Sequence, residues 1–239
     1  MGRFLALFVF AVSLLTFIPT ALRGSSDGGP ASMEKRVYTE RAQGKEFVNT
    51  YEITEGPSEY LVTIVSLSTD GRPRITKQLH LDKSYATLEW AYRDYLEGID
   101  LHAVREGNTI RLEGKNRGRE VKKTYAIDSL PWRQQFPLDL ERFVKSDQDK
   151  ELFWSIGTNG PADMKIAKFV ARKEGGDVVS VNGSNIPVTR VHITFAGALS
   201  IVWKADAWHR DDDGEFVRFN SGKAPGYPMT VVEMVSEER

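Results

Sequence analysis

The chain has 239 residues, no cysteine and closely balanced charge, with 32 lysines and arginines against 33 acids. This composition excludes disulfides, thiol nucleophiles and thiolate metal sites, and it offers no concentrated basic patch for a nucleic-acid partner. The length suits one sizeable core.

The first element is a leader. Met1-Gly2-Arg3 opens with positive charge, an apolar run extends from Phe4 to Ile18, and Pro19 leads into the small, polar Gly24-Ser25-Ser26-Asp27-Gly28-Gly29. A charged start, an apolar middle and a small-residue zone are the layout of a secretory signal. The reading is a signal peptide over residues 1–26, cut before Asp27, and an exported protein, periplasmic or extracellular. Phe4 to Leu22 approaches the roughly 20 residues that span a bilayer. An uncleaved anchor is therefore the alternative, and it would be the chain's one contact with a membrane. Pro19 and the glycine-serine segment favour cleavage.

Residues 27–45 begin polar and glycine-rich and read as a tether, with a single β-rich domain over 46–239. In that domain apolar residues recur with period two, the mark of strands with one buried face. Ile75, Lys77, Leu79 and Leu81 alternate with Arg74, Thr76, Gln78 and His80; Leu88, Trp90 and Tyr92 alternate with Thr87, Glu89, Ala91 and Arg93; Ile110 and Leu112 alternate with Arg111 and Glu113. Glycine-bearing turns punctuate these runs at Asp70-Gly71, Gly107, Gly175-Gly176, Asn182-Gly183 and Asp213-Gly214, several at positions that need a positive backbone angle. About a dozen strands follow, near 46–54, 58–68, 74–82, 86–93, 99–105, 109–114, 119–127, 151–156, 164–173, 177–181, 186–196, 199–209, 215–220 and 229–235, some of them expected to merge. The run 58–68 is apolar in both phases, which predicts a central strand covered on both sides. Between Ser129 and Lys150, Leu140, Phe143 and Val144 stand at i, i+3, i+4 behind Pro137, which predicts one short helix at mid-chain. The fold class is mainly β: a large curled antiparallel sheet, a half-barrel or open barrel, whose curl manages the exposed edges.

The chain carries no recognisable catalytic motif. His80, His102, His192 and His209 are scattered through strands, without the short spacing usual in metal sites, so no metal ligand is assigned. Asp211-Asp212-Asp213-Gly214 lacks the alternation and bidentate glutamate of a calcium loop and reads as a hairpin turn. Gly157-Thr158-Asn159-Gly160 and the Gly114–Gly118 stretch lack the ending of a phosphate loop, and they too read as turns. Asn182-Gly183-Ser184 matches a glycosylation triplet but doubles as turn chemistry. A carboxylate pair such as Asp94 and Glu97 would suit a glycosidase only at the right spatial separation. No cofactor and no catalytic residue are assigned.

The aromatics remain. Core packing is the simplest role for each, but inner-face aromatics are also what an apolar ligand cleft uses. Trp90, Tyr92 and Trp203 are the ligand-lining candidates. Five positions separate Trp203 from Trp208, so a regular strand points them to opposite faces. Trp203 would share the buried face with Leu199, Ile201 and Ala205. Trp208 would share the outer face with Ser200, Lys204 and Asp206, as a candidate for protein interaction.

The block Val202–Phe219, where a tryptophan strand runs into an Asp-Gly turn and returns through Val217-Arg218-Phe219, resembles the closing hairpin of uncharacterised bacterial exported proteins. Ile127-Asp128-Ser129-Leu130-Pro131-Trp132 adds to the likeness. These proteins are broadly similar to the periplasmic lipoprotein-carrier type, a curled half-barrel with helices at its concave side, which implies a lipid or other apolar ligand. The expected function is therefore non-catalytic binding of an apolar or amphiphilic ligand in the curved sheet. The alternatives are an envelope interaction module with a protein partner, and a hydrolase with a long-range site.

Overall fold

The structure, a computed structural model, describes residues 32–42, 44–157, 164–201, 203–223 and 229–239. The predicted leader and the turn at 158–160 lie outside these residues. The period-two runs become fourteen strands: β1 Met33–Ala42, β2 Lys45–Glu55, β3 Glu59–Ser68, β4 Pro73–Asp82, β5 Thr87–Asp94, β6 Ile99–Glu106, β7 Thr109–Asn116, β8 Arg119–Ala126, β9 Lys150–Gly157, β10 Lys165–Val181, β11 Ser184–Phe195, β12 Trp203–Arg210, β13 Phe216–Lys223 and β14 Thr230–Glu238. They form one antiparallel sheet in the order β8-β7-β6-β5-β4-β3-β2-β1-β14-β13-β12-β11-β10-β9. The first and last strands pair at its middle, and β8 and β9 are its unpaired edges. Hydrogen bonds from Tyr125 Oη (2.5 Å) and Lys123 Nζ (3.0 Å) to the Met164 carbonyl bridge the space between the β8 edge and the start of β10.

Among the described residues there is one short α-helix, and it falls where the spacing predicts. A 3₁₀ turn, Leu138–Leu140, is buried and runs into α1, Glu141–Lys145, which buries Glu141 and Phe143 and exposes Arg142 and Lys145. The segment before them crosses between the two halves of the sheet. Thr87 N donates to the Trp132 carbonyl at 2.7 Å, Arg133 N to the Trp154 carbonyl at 2.8 Å, and Trp154 N to the Pro131 carbonyl at 2.9 Å. Buried Arg133 reaches the Tyr85 carbonyl (2.9 Å) and the Glu151 carboxylate (2.6 Å), fastening the crossing to both sides.

Four expectations are corrected. Residues 33–42 are not tether but strand β1, at the middle of the sheet. The runs 164–173 and 177–181 are one strand, β10, bent at a register shift between Lys173 and Gly176. β3 buries Tyr60, Val62, Ile64 and Ser66 on one face only, and Leu61 on the other is 40% exposed. Leu88 leaves the buried phase because the β4–β5 ladder shifts between His80 and Leu81, which turns it outward.

The second covering layer lies elsewhere. The β10–β11 hairpin outreaches its neighbours and folds its tip over the outer face of β12 and β13. Asn182 Nδ2 donates to the Val235 carbonyl on β14 at 2.6 Å, and Val179 and Val188 are buried beneath it. The tip is the predicted Asn182-Gly183 turn, with φ of 51° and 80°.

Because every neighbouring pair is antiparallel, the connections sort by end. The β1–β2, β3–β4, β5–β6, β7–β8, β11–β12 and β13–β14 links share one end. The 127–149 crossing, α1 and both ends of the described sheet share the other.

Candidate functional site

On the concave face, side chains from both halves of the sheet converge on a cleft of about 340 Å³, within the range of small-molecule pockets. Trp90 and Tyr92 reach it from β5, and Phe169, Phe195 and Trp203 from β10, β11 and β12, with Phe136 coming from the crossing segment. All three sequence-predicted ligand-lining residues share this wall. Trp90 and Tyr92 stack at 5.5 Å, while Trp203 meets Phe169 edge-on at 5.7 Å and packs beside Phe136 and Phe195. Trp90 is buried; Tyr92 and Trp203 are half-buried.

The opposite side of the cleft is polar and continues into a second chamber of about 220 Å³, with Glu40, Ile75, Lys77, Gln134 and Phe136 common to both. Lys77 Nζ donates to Gln135 Oε1 at 2.8 Å, Gln135 Nε2 donates to Tyr51 Oη at 3.1 Å, and Asn49 Nδ2 donates to Glu40 Oε2 at 2.8 Å. Burial pushes the Lys77 ammonium below its ordinary pKa, while Glu40 and Asp139 act to hold it up. Lys77 stands in the buried phase of β4, as the alternation predicts. Its role as a cleft-facing cation was the part sequence reasoning missed.

Trp208 is placed differently from its expectation. It does face away from Ala205 and Ala207, on the side of Lys204 and Asp206. That face is covered by the β10–β11 tip: the indole Nε1 donates to Asp177 Oδ2 at 3.1 Å, and the Arg218 guanidinium lies 5.5 Å from the ring. Its partner is intramolecular. Ile201 does not join the Trp203 face, because residues 197–201 form a 3₁₀ turn that leaves it 89% exposed.

At the other end, charged groups lock α1 to the sheet. Buried Arg36 donates to Glu141 Oε1 at 2.5 Å and to Glu34 at 2.6 Å, and it lies 3.4 Å from Glu215. Glu141 also accepts from Phe216 N at 3.2 Å, and Arg210 and Arg239 close the network on Asp213, Glu215 and Glu237. Burial raises the carboxyl pKa of Glu215 and Glu141. Each of these acids faces an arginine, so the cluster has the chemistry of a fastening. Asp139 under the crossing accepts from Gln135 N at 2.7 Å and is pushed up to about 6 by burial. His209, fully buried with Nδ1 on the Gly214 carbonyl at 3.0 Å, is pushed down to about 4 by burial.

The remaining candidates have local partners. Asp94 caps its own turn by accepting from Leu96 N and Glu97 N, while Glu97 pairs with Arg117. His80, His102 and His192 each sit against one carboxylate. Glu174 joins His192 and Asp206 on the outer face, but Arg190 already neutralises it at 2.6 Å. The Asp211–Asp213 stretch is the predicted hairpin turn, with Gly214 at φ 82°.

No protein-family model matches the chain, and a search of curated proteins finds no match. Among solved structures it is similar to a β-barrel-like protein of a domain of unknown function, DUF1849, from Brucella abortus, with a TM-score of 0.58 and 10% identity over 86% of this chain and 97% of that one. At that identity the likeness concerns the fold: a β-rich, barrel-like architecture of unknown function.

Proposed function

We propose that the protein is an exported, non-catalytic binding protein of the cell envelope that holds an amphiphilic molecule in the concave cleft. The observation that carries this is the convergence of Trp90 and Tyr92 with Trp203, from opposite halves of the sheet, on one cleft whose other side presents Lys77. The aromatic wall suits an apolar chain. Lys77, whose hydrogen-bond acceptor is the neutral amide of Gln135, suits an anionic head group, while Glu40 on the same wall is engaged by the Asn49 amide. The signal-like leader supports export, and the absence of a nucleophile motif supports a non-catalytic role.

The test is native mass spectrometry of protein purified gently from its host, followed by titration with a dansyl-labelled fatty acid. A co-purifying amphiphile is expected, with binding weakened several-fold by Trp203→Ala. Lys77→Met should weaken binding of the acid but not of the matching alcohol. A protein that carries no ligand and leaves the probe unbound would mean a filled core, and would favour the interaction-module reading.

A further inference from the structure

The cleft and the polar chamber behind it share one acid and one base. Glu40 and Lys77 line both spaces, and among the described residues no other charged side chain lines either. Glu40 comes from β1 and Lys77 from β4, with β2 and β3 between them in the sheet. Asn49 and Tyr51 of β2 and Ser66 of β3 line the chamber from those two strands, so the ground between the charges offers hydrogen bonds. Trp90, Tyr92 and Trp203 line only the cleft.

Elsewhere in the interior, charges meet. Arg36 contacts Glu34 and Glu141, and Arg133 contacts Glu151. Among the described residues Glu40 and Lys77 make no ion pair, with each other or with a third group. Glu40 accepts from the Asn49 amide at 2.8 Å, and Lys77 donates to the Gln135 amide at 2.8 Å. They act on one another across the gap, since Glu40 helps to hold up a Lys77 ammonium that burial pushes down. Charges withdrawn from water are stabilised best by an opposite charge in contact. Here the two are kept at separate places on one cavity wall, each with a neutral amide for a partner. A purely anionic head group would satisfy Lys77 and be repelled by Glu40; a purely cationic one would do the reverse. A head group that carries both charges matches both.

We infer that the ligand has a zwitterionic head group, an ammonium joined by a short linker to a phosphate. The phosphate meets Lys77, the ammonium meets Glu40, and the apolar chain lies against the wall of Trp90, Tyr92 and Trp203. This rests on the amphiphile-binding reading and names the class of ligand within it.

The test is displacement of the dansyl-labelled fatty acid by two lysophospholipids of equal chain length, each below its critical micelle concentration. Lysophosphatidylethanolamine adds an ammonium to the phosphate; lysophosphatidylglycerol adds only hydroxyls. The first is expected to displace the probe at a several-fold lower concentration. Glu40→Gln, which keeps an oxygen for Asn49, should abolish that preference, and Lys77→Met should weaken both lipids. Glycerophosphoethanolamine, which has the head group without the chain, should leave the probe in place. Equal displacement by the two lysolipids from the wild-type protein would overturn the proposal. So would a preference that survives Glu40→Gln, or a chain-free head group that competes as well as the lipid. The two readings fail differently. A probe that does not bind, or binds without regard to Trp203, removes the amphiphile reading itself. A probe that binds through Trp203 and yields equally to both lysolipids keeps that reading and removes the zwitterion.

Discussion

Trp90 on β5 and Trp203 on β12 stand seven strands apart in the sheet order, yet they line the same cleft. Only the curl of the sheet brings them together, so the aromatic wall exists only when both halves are folded and joined.

The two tryptophans of β12 should separate stability from binding. Both are half-buried, Trp203 in the aromatic wall and Trp208 beneath the β10–β11 tip. Complete burial would make truncation cost about 3–5 kcal/mol, so about 2 kcal/mol is expected for each alanine variant in urea unfolding. Only Trp203→Ala should also weaken the fatty acid probe.

Gly214→Val should be strongly destabilising. The position has φ 82°, and a Cβ there would lie 2.7 Å from the Lys145 side chain and 3.0 Å from the Glu141 carbonyl, pushing α1 off its seat. A loss above about 2 kcal/mol is expected from strain and displacement together. Gly107→Ala is the control: its φ is 57° with nothing within 4 Å of the added atom, so it should cost about 1 kcal/mol. Melting temperatures of the two variants check the contrast.

Arg36→Met should cost about 3–5 kcal/mol, because Glu141 and Glu34 are then left with an uncompensated partner site at the closed end. Adding Glu141→Gln should recover part of the loss. A double-mutant cycle in urea reads the coupling; simple additivity would show that the pair does not act as a unit.

Asp139 and His209 pull the pH profile in opposite directions. Asp139, pushed up to about 6, keeps its proton in the fold where the unfolded chain has released it, so its contribution to stability falls as pH rises through about 4 to 6. His209, pushed down to about 4, stays neutral where the unfolded chain is protonated, so its contribution falls as pH drops from about 6.5 towards 4. The free-energy difference between wild type and Asp139→Asn should therefore shift by roughly 2 kcal/mol across pH 4 to 6, in favour of the variant at the higher pH. Urea titrations at several pH values read it directly.

Much of this fold was legible because one-sided strands write their burial as alternation, and Ile110 and Leu112 against Arg111 and Glu113 show it plainly. β1 was hidden by the same rule. Its buried face carries Arg36 with Tyr38, flanked by half-buried Glu34 and Glu40, so the inner phase reads as charged. Glu174-Gly175-Gly176 read as a break because a bulge inside a strand uses the same residues as a turn. At the site, residue type singled out the aromatics, but their convergence depends on long-range curl that no local spacing encodes. The cover over Trp208 escaped for a similar reason, since it comes from a hairpin whose reach depends on a bend in β10.

The pairing of β1 with β14 has a consequence for how the molecule is made. The N-terminal strand waits for the C-terminal one, so a partly synthesised or partly translocated chain holds only a fragment of the sheet, with the inner side of β1 lacking its neighbour. A chain that emerges N-terminus first would remain without its finished sheet until β14 had emerged. Loss of the final strand by truncation would leave two meanders that cannot be joined at their centre. The seam at the centre of the sheet is closed by its last strand.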